Sequence, residues 1–215
     1  MKLLWQKVSK SFLSTFASAE ICSDEHGQIV FFFAAASLPN LFIIWFGAIF
    51  HTPSITELPE LLKILASISL VPWIETAFFF LPLRFVVSDG RVVRNLLWIL
   101  IAAIIFVFMH KIVRDDDVVA SLMVFWFGLV QAAQYSILFL RNQPATTWVA
   151  CTHALYNLIV YSTLACTVLI ASTGIGRLMQ ILFISTFYIL LILITFQILR
   201  KGLKSIFQID LFNKF

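Results

Sequence analysis

The chain has 215 residues, 61% of them hydrophobic and only 12% charged, with 23 Phe and a formal net charge of +4. Soluble domains carry about 25% charge, so a soluble globular class is excluded, in keeping with the mean hydropathy of +0.98. The surplus of Lys and Arg sits between apolar runs, which reads as membrane topology and gives no reason to expect a nucleic-acid partner.

The first 28 residues are amphipathic. Leu4, Val8, Phe12 and Phe16 recur four residues apart, and Lys7 and Lys10 interrupt them before a secretory h-region can form. Such a stripe suits a helix in the membrane interface or one packed on its neighbours. Six apolar runs follow, at about 29–50, within 61–87, at about 96–113, within 118–140, at about 147–172 and at about 178–199. Each is near the ~20 residues that cross a bilayer. Lipid offers no partner to backbone N–H and C=O groups, so such runs must be helical, and a barrel would show short alternating segments instead. The expected fold is all-α: a polytopic transmembrane helical bundle of about six spans, residues 29–199. Residues 200–215 form a basic amphipathic tail with Leu203, Ile206, Phe207 and Leu211 at helical spacing.

Six spans place both termini on one side. That side carries Lys2, Lys7, Lys10, Arg84, Arg91, Arg94, Arg141, Arg200, Lys201, Lys204 and Lys214; the other carries Lys63, Lys111, Arg114 and Arg177. The positive-inside rule then puts the termini in the cytoplasm. Pro39 and Pro72 fall inside spans and predict kinks. The cysteines, Cys22, Cys151 and Cys166, read as structural: the last two lie about 22 Å apart along one helix, too far for a disulfide. The acidic stretch Arg114–Asp117 reads as a solvated loop, with cation attraction as the other reading.

Ionisable groups within hydrocarbon are expensive and mark functional sites. Lys63, Arg84 and Lys111 lie near span ends and can snorkel. What remains is Glu75 in "VPWIETAFFFLP", His110 ending "FVFMH", and His153 in "THALYN", with Asn157 one turn beyond His153. Each alone has a structural reading as a hydrogen-bonding residue between helices. Together, on three spans with few competing polar groups, they suggest one site. Glu beside His can take a proton from water and pass it on. His and Asn at i and i+4 share a helix face and can donate to one developing oxyanion. That set suits hydrolysis of an amide or ester without a covalent nucleophile. His, His and Glu are also zinc-type ligands, but no HExxH occurs, so a divalent metal such as zinc is the less favoured reading and no cofactor is expected.

The three segments, in this order, resemble the CPBP intramembrane proteases, the Abi or CAAX-protease and bacteriocin-processing family, related to the type II CAAX prenyl endopeptidases. The family pattern is EExxxR, FxxxH and HxxxN or HxxxD, each on a transmembrane helix. Phe106 and His110 match the second motif, His153 and Asn157 the third, and Glu75 part of the first. The likeness covers about residues 70–160. It implies that Glu75 and His110 activate water, that His153 and Asn157 form the oxyanion hole, and that the substrate is a membrane-associated peptide or protein. A plasma (inner) membrane of a prokaryote is the expected location. Thr76 stands where the second Glu belongs and Phe80 where the Arg belongs; the alternative register would put Ile74 at the catalytic position. A degenerate member acting as an immunity or scaffold protein is therefore the second hypothesis. A small transporter or proton relay is the third, against which stand the short chain and the lack of an inverted repeat.

Overall fold

The computed structural model describes residues 25–50, 61–114 and 118–207. The N-terminal stripe from Leu4 to Phe16, Cys22, the acidic residues Asp115–Asp117 and Leu211 lie outside the described residues. Within them the chain is all-helical. Helix α1 spans Glu25–Phe50, α2 Leu61–Ser69, α3 Val71–Glu75, α4 Val92–Arg114, α5 Val118–Leu140, α6 Ala145–Ala171 and α7 Arg177–Phe207. Between α3 and α4 the helix continues as a π turn, Thr76–Phe80, and a 3₁₀ segment, Leu81–Phe85. Five helices are long and apolar enough to cross a membrane, and α2 with its continuation through Phe85 passes the same test as a pair bent by 44°, a broken span or a re-entrant loop that brings the count to at most six.

The boundaries differ modestly from the expected ones. Helix α4 starts at Val92, four residues early, because Asn95 and Arg94 do not end it. Asn95 accepts from Ser88 N and donates to Ser88 O, and Arg94 donates to Ser88 Oγ. Their polar groups are thus satisfied in the turn before the helix. Helix α7 runs without a break from Arg177 through Phe207. Residues 200–207 of the basic tail are therefore an extension of the last span, since a helix needs only its own backbone bonds to continue past the apolar run.

Two proline sites shape the bundle. Pro39 has no N–H for the carbonyl four residues back, which is that of Ala35. The indole Nε1 of Trp126 on α5 donates to that carbonyl at 2.9 Å, so the bond that Pro39 removes is replaced from a neighbouring helix, as membrane helices require. Pro72 likewise has no N–H for the carbonyl of Ile68, and the bent span changes direction there. Across the break, Leu70 N donates to Ala66 O, and both Trp73 N and Ile74 N go to Leu70 O.

Two apolar clusters hold the bundle. One lies between α1 and α7, around Leu41, Ala48, Ile184, Tyr188 and Ile192; Arg177 at the start of α7 donates to Ile49 O near the end of α1. The larger one joins α1, the π and 3₁₀ segments, α4, α5 and α6 and includes Phe31, Phe80, Phe106, Phe127, Tyr135 and Val149. Outward faces carry large exposed apolar side chains such as Phe46, Leu62, Phe78, Phe108 and Leu169. Such faces suit lipid, which is as apolar as they are. The chain is thus a multi-pass helical protein with its polar residues gathered inside.

Candidate functional site

A cavity of about 260 Å³ opens among the middle helices. Each helix lines it with a stripe at helical spacing: Val71 and Glu75 from α3, Phe106 and His110 from α4, Ala120, Met123, Val124 and Phe127 from α5, and His153, Tyr156, Asn157, Val160 and Tyr161 from α6. Ser67, in the last turn of α2, completes the wall. All four residues singled out in the sequence therefore face one cavity.

Glu75 is the centre. Its Oε1 lies 3.5 Å from His110 Nε2 and its Oε2 lies 3.5 Å from His153 Nε2. One carboxylate is flanked by two imidazoles from two other helices. The side chains are mostly buried, 18% exposed for Glu75, 13% for His110 and 5% for His153. Glu75 stands where regular α-helix gives way to the π turn, closed by Leu81 N donating to Thr76 O. π turns recur at functional sites because the extra residue re-aims the side chains around it. Ile74, the alternative-register residue, points outward and is 56% exposed.

The FxxxH spacing has a direct physical meaning. His110 Nδ1 sits 2.9 Å from the carbonyl oxygen of Phe106, one turn back. A carbonyl only accepts, so Nδ1 carries the proton. The Nε2 that faces Glu75 is then the ring atom placed to exchange a proton with the carboxyl group. Phe106 also fixes the ring by contact: the centroids are 4.2 Å apart. Phe106 is in turn held by Phe79 at 5.1 Å and Phe80 at 5.5 Å.

His153 is braced from α5. Its ring lies 4.6 Å from that of Phe127, which also packs on Tyr156 at 4.3 Å. One residue before it, Thr152 Oγ1 accepts from Gln134 Nε2 at 2.9 Å and donates to Trp148 O. Tyr156 OH accepts from Asn40 Nδ2 at 2.6 Å, which ties α6 to α1 next to Pro39. The polar face of α6 is thus held from both sides.

The geometry distributes the contacts differently from the expected pairing of His153 with Asn157. His153 addresses the carboxylate of Glu75, and Asn157 Nδ2 donates to Ser67 O at 2.7 Å. Arg84, the nearest basic residue along the chain, is exposed and stacks over Phe85 at 4.9 Å, away from the site. Thr76 and Phe80 are both fully buried. Among the described residues no group of three or more His, Cys, Asp or Glu side chains is arranged to hold a metal ion.

Phe127, Tyr156, Met123 and Asn40 were not among the residues read from the sequence. Tyr156 had a signal in its place between His153 and Asn157 in "HALYN"; Phe127 had none, being one Phe among 23. No family model, curated protein or solved structure matches this chain. The functional reading therefore stands on these residues and their arrangement.

Proposed function

We propose that the protein is an intramembrane endopeptidase of the CPBP type that acts on a membrane-associated peptide or protein segment. The observation that carries this reading is the Glu75 carboxylate set between His110 and His153 in a largely apolar cavity. Water bound at the Glu75–His110 pair gives up a proton to it as its oxygen attacks the scissile carbonyl carbon. The tetrahedral oxyanion is held by N–H donors of His153 and Asn157. The stored proton then passes to the amide nitrogen, the C–N bond breaks, and an acid and an amine leave. The pair ends with the one proton it began with, and no covalent intermediate forms. By the same reading both termini face the cytoplasm of a prokaryotic plasma membrane.

The test is proteolysis by the purified protein in proteoliposomes against a library of apolar peptides, read by mass spectrometry. Glu75→Gln, His110→Ala and His153→Ala each lower turnover by about 10²–10⁴-fold while the helical content and the thermal transition stay in place. Full activity in Glu75→Gln would sink the mechanism.

A second reading has one observation in its favour. Phe80 is fully buried and stacked on Phe106, so the space of the family's charged support is filled by an aromatic ring. On this reading the fold binds a partner without cleaving it, as an immunity or scaffold protein. Retention of the cellular phenotype by all three variants would select it.

A further inference from the structure

Helix α2 is unlike the other helices. It has nine residues, none of them buried, and Leu61, Leu62 and Leu65 are turned outward. Its main packing partner outside its own span is α6. A helix this short is marginal by itself. It is joined to α3 through the 44° break at Leu70, with Pro72 just beyond. Its Ser67 and the following Val71 form one wall of the cavity that holds Glu75. In lipid, an apolar face that swings outward exchanges one apolar neighbour for another, so apolar burial does little to hold it. Polar bonds then weigh heavily, and one of them is the bond from Asn157 to the carbonyl of Ser67.

We infer that α2 is a gate for a substrate segment arriving from the bilayer, and that Asn157 is its latch. This rests on the peptidase reading above. With the gate shut, the Asn157 amide is turned toward Ser67. When α2 swings on the Leu70–Pro72 break, the same amide is released into the cavity beside His153, where the oxyanion forms. Access and completion of the site are thus one movement. No bond is made or broken in it beyond the exchange of a hydrogen-bond acceptor.

The test is a distance measurement that needs no substrate. Spin labels are placed at Leu65→Cys on α2 and Leu97→Cys on α4, both exposed, in full-length protein in nanodiscs with Cys22, Cys151 and Cys166 replaced by Ala. Asn157→Leu keeps the side-chain shape and removes the donor. The loss of one interhelical hydrogen bond is expected to raise the population at longer distance about threefold, and at most about twentyfold. Pro72→Ala, which restores a donor for the Ile68 carbonyl and stiffens the break, is expected to lower it. A reference pair at Leu97 and Leu193 reports that the bundle is intact. An unchanged α2 distance in Asn157→Leu with the reference pair intact overturns the gate. Should Asn157→Leu disturb the reference pair, an unchanged distribution in Pro72→Ala overturns it instead. The same distances in a Glu75→Gln background separate the gate from the chemistry, since they do not depend on turnover.

Discussion

Gly128 is where the α4–α5 contact is closest to the site. It follows Phe127 on α5 and faces Phe106. A Cβ added there would lie 2.9 Å from Cδ1 of the Phe106 ring, 3.3 Å from Cγ and 3.4 Å from Cβ. The first distance is a clash. The ring has little freedom to retreat, because it is 1% exposed and packed by Phe79, Phe80, Phe127 and His110. Any shift of Phe106 therefore moves the imidazole that lies 3.5 Å from Glu75.

The size of the effect follows from a comparison. Gly128→Ala forces extra volume into a filled space, which typically costs about 1–3 kcal/mol. Ala in place of a helical Gly returns up to about 1 kcal/mol. Gly47→Ala on the exposed side of α1 gains the same helical term, and its Cβ meets nothing within 4 Å. The difference between the two variants isolates the packing term, about 1–3 kcal/mol in favour of Gly47→Ala. Reversible unfolding in mixed detergent micelles, followed by circular dichroism, measures it. Equal stability of the two variants would refute the claim that Gly128 exists to let Phe106 lie against α5.

Trp126→Phe leaves the Ala35 carbonyl without its indole donor and is expected to cost about 1–3 kcal/mol in the same unfolding assay. Adding Pro39→Ala supplies the missing backbone N–H, so the double variant recovers stability relative to Trp126→Phe; failure to recover would show that the two residues are not linked. Tyr156→Phe removes the bond from Asn40 and is expected to lose about 0.6 kcal/mol, at most about 1.7. Asn40→Leu combined with it should then cost no more than Asn40→Leu alone.

The spans were legible because lipid leaves a chain no alternative to long apolar helices. The fine boundaries were less so: Arg94 and Asn95 look like loop residues until Ser88 is seen to satisfy them. Convergence of Glu75, His110 and His153 was legible as chemistry but not as depth. Counted from the expected cytoplasmic ends, Glu75 lies about 13–18 Å deep, His110 about 20 Å and His153 about 9–14 Å. The structure widens this count, because His110 is 18 residues into α4, about 27 Å, while His153 is eight residues into α6, about 12 Å. They meet because the starts of α4 and α6 are not level, which is a property of helix offset and tilt. Single-span patterns carry neither. The same holds for the bond between Asn157 and Ser67, where a backbone carbonyl at a helix end leaves no trace in residue identity.

Thr76 and Phe80 change meaning once they are placed. Read against the family motif, they are two missing charges. In the bundle, a Glu and an Arg at these positions would have to be desolvated together in a fully buried layer, and such a pair gains little over well-packed apolar groups. Phe80 instead extends the aromatic stack that holds Phe106, and Phe106 holds His110 through both its ring and its carbonyl. The packing around this site is thus an aromatic stack that acts on the histidine beside Glu75. Glu75 keeps two imidazoles as its polar neighbours, one on each carboxylate oxygen.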